Sequence, residues 1–75
     1  MENEGFNLKL MGERLLSLRK EKNIGQNDLA AKLNLSNASI SYWENAKQVP
    51  TAEAIFKLAK FFGVSADYIL GLKDW

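Results

Sequence analysis

The 75-residue chain contains no cysteine and no histidine, and it has a single proline. Without cysteine, neither a disulfide framework nor a thiolate zinc site can form. Without histidine, the chain lacks the commonest metal ligand and the commonest general base near neutral pH. A glycine-rich phosphate loop and a paired-carboxylate motif are missing too. We therefore expect no metal, no cofactor and no enzymatic activity.

Long hydrophobic runs are also missing, since no segment approaches the ~20 apolar residues of a membrane-spanning helix. Glu2 and Glu4 stand where a signal peptide would be basic, so we expect a cytoplasmic protein without a membrane partner. The formal net charge is only +1. Nucleic-acid binding would therefore depend on where the charges lie and not on the total charge. Apolar residues make up 47% of the chain, which suits one small globular domain.

Helical periodicity is what the sequence does contain, and no stretch alternates with period two for long enough to predict a strand. The pattern predicts one all-α domain of five short helices over residues 7–75, preceded by a flexible segment over residues 1–6. The predicted N-caps are Asn7, Gly25, Ser36, Thr51 and Ser65. The predicted apolar faces comprise Met11, Leu15, Leu18, Leu29, Ala30, Leu33, Ile40, Trp43, Ile55, Leu58, Ala59, Phe62, Ile69 and Leu70.

Residues 26–44 are the most informative stretch. Two short amphipathic segments meet at a polar break, with Asn34 where the backbone bends and Ser36 where a helix can start. This is the outline of a helix-turn-helix, whose second helix lies in the DNA major groove. Ile40 and Trp43 define the buried side of that helix, so its outward face is small, polar and nearly uncharged. The plain alternative for this face is a short helix that merely meets water.

Several motifs follow one another at fixed spacing along the chain. They are Leu18-Arg19, Gln26-x-x-Leu29-Ala30-x-x-Leu33, Ser36 followed by Ile40, Trp43-Glu44-Asn45-x-Lys47-x-x-Pro50, and Leu58-Ala59-x-x-Phe62-Gly63-Val64-Ser65-x-Asp67-x-Ile69-Leu70. With these motifs the chain resembles the phage repressor and Cro type of helix-turn-helix, also called the XRE family. The resemblance covers about residues 11–72 and implies a lambda-repressor-like fold.

The resemblance implies a sequence-specific regulator of transcription that binds double-stranded DNA. It would most simply be a repressor that binds a two-fold operator as a homodimer, with helix three in the major groove. The matching base-contact positions are Asn37, Ala38, Ser41 and Tyr42. The matching DNA-backbone positions are Gln26, Ser36, Ser39, Asn45 and Lys47, and the position of Gln26 in the family can also brace the recognition helix. Lys32, with Lys22 or Arg19, would add cations near the phosphates. Arg19 and Glu44 match a structural ion pair that joins helix one to the end of helix three.

Three departures from the family pattern affect the backbone. Asn23 and Asn34 stand where glycine is frequent, and asparagine tolerates the same left-handed conformation. Gly25 replaces a serine or threonine cap, which costs a few tenths of a kcal/mol. Ala46 stands where glycine is common after helix three, so a positive φ there would strain the loop.

Helix three contains neither arginine nor lysine, so it lacks the side chains for the commonest specific contact to guanine. The amide of Asn37 can pair with adenine, and Ala38 and Tyr42 can pack on thymine methyl groups. We therefore predict half-sites whose contacts with helix three favour A·T pairs.

The prediction of a homodimer depends on apolar residues in the C-terminal part of the chain. The candidate dimer interface comprises Phe61, Tyr68, Leu72 and Trp75. The same residues could instead cover the edge of the core or face an additional C-terminal domain. A second hypothesis for function follows from this surface: a protein-interaction module, antitoxin-like or a partner of a repressor antagonist, built on the same helices.

Overall fold

The structure, a computed structural model, describes residues 5–75. Within that range the chain forms α1 (Leu8–Glu21), α2 (Gln26–Leu33), α3 (Asn37–Glu44), α4 (Ala52–Phe62) and α5 (Ala66–Leu70), with no strand. The predicted all-α class with five short helices is confirmed. Residues 1–4 of the predicted flexible segment lie outside the described residues, so that expectation stays a prediction. None of the described helices is both long and apolar enough to cross a membrane.

Short polar side chains fix where four of the helices begin. The side-chain oxygens of Asn7, Ser36, Thr51 and Ser65 each accept a hydrogen bond from the backbone N–H three residues later, at 3.0 to 3.1 Å. Such a cap stabilises a helix by ~1 kcal/mol. Gly25 precedes α2 in an extended conformation and supplies no side-chain bond. The five predicted N-caps are therefore confirmed, with α2 the one that lacks a side-chain partner.

Left-handed backbone residues stand at the helix ends. Asn34, Gly63 and Gly71 cap α2, α4 and α5 at φ values of 57°, 70° and 88°. Asn23 after α1 also has φ 57°. Ala46 has a φ of 58°, so the loop after α3 does contain the positive φ that we expected to strain it. Because alanine carries a Cβ, this conformation costs on the order of 1 kcal/mol there.

The core forms where the apolar faces of the helices meet. Met11, Leu29, Ile40, Leu58 and Ile69 are fully buried, one from each helix. The predicted apolar faces are confirmed for most positions. Leu33 packs against the core but is only half-buried, and Leu70 is half-buried too. They lie in the last turns of α2 and α5, where one side of the helix meets solvent.

Gly12 lets α1 and α3 approach each other closely. A Cβ at this position would lie 2.6 Å from the carbonyl oxygen of Trp43 and 2.8 Å from that of Glu44. Both oxygens belong to the backbone, so neither can swing aside as a side chain would. The contact fixes the C-terminal end of α3 against the middle of α1.

Candidate nucleic-acid interface

The outer face of α3 is exposed, while its inner face is anchored. Asn37, Ala38 and Tyr42 are exposed, with Tyr42 retaining 45% of its accessible surface. On the opposite side Ile40 and Trp43 retain only 2% and 5%. Ser41, the fourth predicted base-contact residue, is half-buried and lies at the edge of this face. The arrangement presents small polar and aromatic groups on a helix held from behind.

A hydrogen bond between two asparagines connects the beginnings of α2 and α3. The side-chain amide nitrogen of Asn37 donates to the side-chain oxygen of Asn27. The side-chain amide of asparagine has two N–H hydrogens and an oxygen with two lone pairs. Asn37 uses one hydrogen for Asn27, so it retains one donor and its acceptor oxygen for a further partner. Asn27 thus orients a predicted base-contact residue. The sequence prediction missed it, although its place directly after Gln26 was a usable signal.

Three of the predicted DNA-backbone residues are already engaged in local hydrogen bonds. The Ser36 hydroxyl accepts from the backbone N–H of Ser39, and the two hydroxyls lie 2.8 Å apart. The Asn45 side chain donates to the carbonyl of Ser41 at 2.9 Å. These groups stabilise the two ends of α3. Lys47 differs, because it is exposed and has no ion-pair partner within residues 5–75.

Arg19, Gln26 and Glu44 form a partly buried hydrogen-bonded cluster at the C-terminal end of α3, which we call the brace. Arg19 donates from Nε to Glu44 Oε2 at 2.6 Å and from Nη2 to Oε1 at 3.0 Å, a bidentate geometry. The remaining Nη1 donates to the carbonyl of Ile24 at 3.0 Å. Gln26 Nε2 adds a bond to Glu44 Oε1 at 2.9 Å. The structure therefore brings together the pair that the resemblance implied and joins Gln26 to it.

The brace is poorly accessible to water. The side chains of Glu44 and Arg19 retain 4% and 13% of their accessible surface. The hydrogen bond to Glu44 raises the pKa of Arg19, an effect that its coulombic attraction reinforces and that burial partly opposes. The guanidinium therefore stays protonated, and the pair ties α1 and the start of α2 to the last residue of α3.

The N-termini of α2 and α4 differ in their free backbone donors. In α2 no side chain caps the first turn, since Gly25 has none to offer. In α4 the Thr51 hydroxyl already accepts the N–H of Ala54. Free amides at a helix N-terminus attract anions, whereas Asp28 and Glu53 in the first turns of the two helices repel them. Gln26 and the first backbone amides of α2 are thus uncharged hydrogen-bond donors for an anion, in a chain that carries little net positive charge.

The four candidate dimer residues do not share one groove. Phe61 is half-buried and packs edge-on against Phe62, with ring centroids 5.1 Å apart. Tyr68 is also half-buried, and the guanidinium of Arg14 lies 4.3 Å from its ring centroid. Leu72 and Trp75 retain 73% and 76% of their surface.

A separate shallow groove contains Leu72 together with Phe6 and Leu10. Arg14 also donates to the carbonyls of Tyr68 and Lys73, the latter at 2.8 Å, and so holds the C-terminal segment on α1. The sequence prediction missed this arginine, because its partners lie more than fifty residues away along the chain. The exposed apolar surface at this end is therefore mainly Leu72 and Trp75.

A family model described as helix-turn-helix matches residues 15–69, which include the whole of α2, α3 and α4. The chain belongs to the helix-turn-helix family. The XRE-type resemblance in the sequence is thereby confirmed. As a helix-turn-helix domain, the chain has α2 and α3 as its two motif helices and Asn34–Ser36 as its turn.

Two relatives show how this helix-turn-helix domain compares with longer proteins. Repressor protein C2 of Salmonella phage P22 is 39% identical over 65 residues, which are 87% of this chain and 30% of that protein. The transcriptional activator BcrR of Enterococcus faecalis is 41% identical over 58 residues, which are 77% of this chain and 28% of BcrR. The chain therefore spans less than a third of the length of either relative.

A solved structure supports the same relationship. The crystal structure of the P22 c2 repressor in complex with a synthetic operator matches with a TM-score of 0.78 at 39% identity. The match covers 81% of this chain and 92% of that one. The fold described above is thus the fold of a repressor domain crystallised with operator DNA.

Proposed function

We propose that this chain is a sequence-specific, double-stranded DNA-binding regulator of transcription, most simply a repressor. It binds a two-fold operator as a homodimer with α3 in the major groove and acts in the cytoplasm. The observation that carries the proposal is the exposed face of Asn37, Ala38 and Tyr42, held from behind by Ile40 and Trp43. The similarity to a repressor domain crystallised with its operator supports the docking mode.

Because the net charge of the chain is only +1, phosphate binding depends mainly on hydrogen-bond donors that the fold holds in fixed positions. The amides in the first turn of α2 have no side-chain cap and suit a phosphate oxygen. Gln26 uses one amide hydrogen for Glu44 and retains the other for the DNA backbone. Lys47 supplies a cation after α3. A dimer that makes roughly 6–10 phosphate contacts should show a steep salt dependence.

The side chains that would contact the DNA bases carry no positive charge. The amide of Asn37 presents a donor and an acceptor that match N7 and N6 of adenine. The methyl group of Ala38 and the ring of Tyr42 suit thymine methyl groups. Ser41 at the edge of the face can accept from or donate to either base. The operator half-site should therefore carry A·T pairs beneath α3.

Occupancy of a promoter is enough for repression, which is why we favour that role. A two-fold dimer would place its half-sites about one helical turn, ~34 Å, apart. Leu72 and Trp75 are the most exposed of the four candidate dimer residues and are the first to examine at the subunit interface. Activation remains the second role to test, since one of the relatives above is named an activator.

Selection from a pool of random duplexes, followed by gel shifts, tests the proposal. We expect an enriched site with A·T pairs in two related halves. Asn37→Ala and Tyr42→Ala should each weaken binding to that site by ~1–3 kcal/mol, or roughly five- to 150-fold. Lys9→Ala is the matched control, because Lys9 is exposed on α1 away from the motif. Indifference to every duplex at low salt would overturn the proposal, and invariant guanines beneath α3 would overturn the A·T preference.

A further inference from the structure

A groove of about 470 Å³ lies between the C-terminal end of α2 and the outer side of α4. We call it the α2–α4 groove. Its apolar lining comes from Leu33, Phe56 and Phe61, and its cationic lining from Lys32, Lys57 and Lys60. None of these side chains takes part in the brace or lies on the outer face of α3. The groove is therefore a second surface, and the arguments for DNA binding do not use its apolar part.

Phe56 is the prominent apolar group of the groove. It retains 63% of its accessible surface, although it sits in the middle of an amphipathic helix whose inner side is well buried. Phe61 also lines the groove, half-buried and packed on Phe62. Phe56, Phe61 and Leu33 together form the apolar strip of the groove. Aromatic side chains are enriched at protein interfaces, so this strip suits contact with an apolar side chain of a partner.

Lysines surround this strip, and most of them have no carboxylate partner. Lys57 is held in place, because it donates to the Leu33 carbonyl at 3.1 Å and lies 3.6 Å from Glu53. Among residues 5–75, no carboxylate pairs with Lys32 or Lys60. The ammonium of Lys60 instead lies 5.8 Å from the Phe56 ring centroid. The aromatic rings thus already attract cations, and the cations retain donors for an anionic ligand.

Lys22 extends the positive charge to the end of α1. Its ammonium lies 5.5 Å from the Phe61 ring centroid, and it too has no carboxylate partner among the described residues. Since the whole chain carries a net charge of only +1, cations gathered on one side leave an uneven distribution. The field over the groove is therefore positive, which favours an acidic partner.

We propose that the α2–α4 groove binds an acidic segment of another protein that carries aromatic or branched aliphatic side chains. An apolar side chain of the segment would cover Phe56 and Leu33, and its carboxylates would pair with Lys32 and Lys60. The pattern of an apolar anchor flanked by charge is common in peptide recognition. This proposal does not rest on DNA binding, and the two surfaces can be tested separately.

Two other occupants fit the groove less well. Duplex DNA presents phosphates along its backbone, whereas its apolar thymine methyl groups lie inside the major groove, which α3 is proposed to occupy. A second copy of this chain would have to offer acidic and apolar groups side by side, as at Asp74 and Trp75. Arg14 already lies 3.5 Å from Asp74 within the same chain. A reciprocal exchange of the two C-terminal segments would have to give up this contact.

A peptide titration monitored by amide chemical shifts tests the proposal on the intact chain. The probe is a synthetic peptide in which glutamates flank leucine and phenylalanine, and the control is the same peptide with glutamine at every glutamate position. We expect saturable shifts at residues 32–34 and 56–61, with a Kd of roughly 10–100 μM, as for small transient interfaces. The glutamine peptide should bind at least about tenfold more weakly, since it cannot pair with the lysines.

Variants at exposed positions sharpen the assignment. Phe56→Ser and Lys60→Glu should each weaken the acidic peptide about tenfold or more while leaving the fold intact. Phe6→Ser and Lys9→Glu are matched controls, because both residues are exposed and lie outside the groove. These controls should bind the peptide as the parent chain does. Equal losses in the control and groove variants would overturn the proposal.

Three further results would also overturn it. The first is an acidic peptide that leaves the groove amides unmoved or binds no better than its glutamine counterpart. The second is a shift of the same amides on raising the protein concentration alone, which would assign the groove to a second copy. The third is a duplex that perturbs Lys22 and Lys32 and displaces the peptide, which would assign these lysines to phosphate.

Discussion

The two ends of α3 are held in different ways. At the N-terminal end the contacts are exposed: the Ser36 cap and the bond between Asn37 and Asn27. At the C-terminal end Glu44 is almost wholly buried and accepts three hydrogen bonds from Arg19 and Gln26. Gly12 adds a close backbone contact there. The difference indicates that the C-terminal end carries the stability, while the N-terminal end keeps polar groups available for a ligand.

Removing the carboxylate of the brace should give the largest effect. Glu44→Ala leaves Arg19 buried without its partner, so we expect a loss of ~3–5 kcal/mol in the free energy of unfolding. Urea denaturation measures it. The double variant Arg19→Met/Glu44→Leu should recover much of the loss, since no unpaired charge is left. A single-variant loss below about 1 kcal/mol would contradict the assigned role of the brace.

The contribution of Arg19 to the pH dependence of stability follows from its raised pKa. A raised pKa in the folded state means that this group adds stability at pH values below its ordinary, unfolded pKa. That stability is lost only as the pH rises through the raised value. We therefore expect no decline from this group between neutral and moderately alkaline pH. The Glu44→Ala variant should consequently show its deficit throughout that window.

Filling the close contact between α1 and α3 should give the next largest effect. Gly12→Ala gains about 1 kcal/mol in helix propensity, but its Cβ would meet two backbone oxygens at less than 3 Å. Overpacking of this kind costs ~1–3 kcal/mol or more, so we expect net destabilisation by thermal or urea unfolding. Ser17→Ala on the exposed side of α1 is the control and should be neutral or slightly stabilising. A more stable Gly12→Ala variant would show that the helices can separate freely.

At the other end of α3, loss of the cap should cost less. Ser36→Ala removes the acceptor for the Ser39 N–H, so we expect a loss of ~1 kcal/mol in unfolding free energy. Faster amide hydrogen exchange should be confined to the first turn of α3. Ser36→Asp, which keeps an acceptor, should retain most of the parent stability. A loss as large as that of Glu44→Ala would erase the contrast between the two ends.

The smallest effect should be a gain. Ala46→Gly relieves the left-handed backbone after α3, and we expect stabilisation of about 0.5–1 kcal/mol despite the added flexibility of the unfolded chain. Denaturant midpoints of the two proteins measure it. Ala31→Gly, in the exposed part of α2, should instead destabilise by about the same amount. Parallel losses in both variants would mean that Ala46 is not strained.

Local signals in the sequence predicted most of this fold. The caps at Asn7, Ser36, Thr51 and Ser65 act within three residues, and the apolar periodicity acts within one or two turns. Both were therefore readable from the chain alone. Leu33 and Leu70 belong to the predicted apolar faces but are only half-buried, because they stand in final turns where packing partners run out. Helical periodicity predicts on which face of a helix a residue lies, but it does not predict how much of that face a neighbouring helix covers.

The contacts that position the candidate site were less predictable. Gly12 meets Trp43 across thirty-one residues, and Asn37 meets Asn27 across the turn. Neither contact follows from spacing along one helix. The resemblance supplied the pairing of Arg19 with Glu44 and implied that Gln26 can brace the recognition helix. The structure adds that Gln26 does so through Glu44. Phe56, Lys57 and Lys60 were not singled out, since they meet Lys32 and Leu33 only where the C-terminal end of α2 lies beside α4.

The brace has a consequence for changing what the protein recognises. Ala38 and Tyr42 point away from it and take no part in the core, so their identities are decoupled from the integrity of the fold. A library randomised at these two positions should consist largely of folded members. New binding preferences could thus be sought by exchanging a few surface side chains, while the poorly accessible carboxylate of Glu44 holds α3 in place.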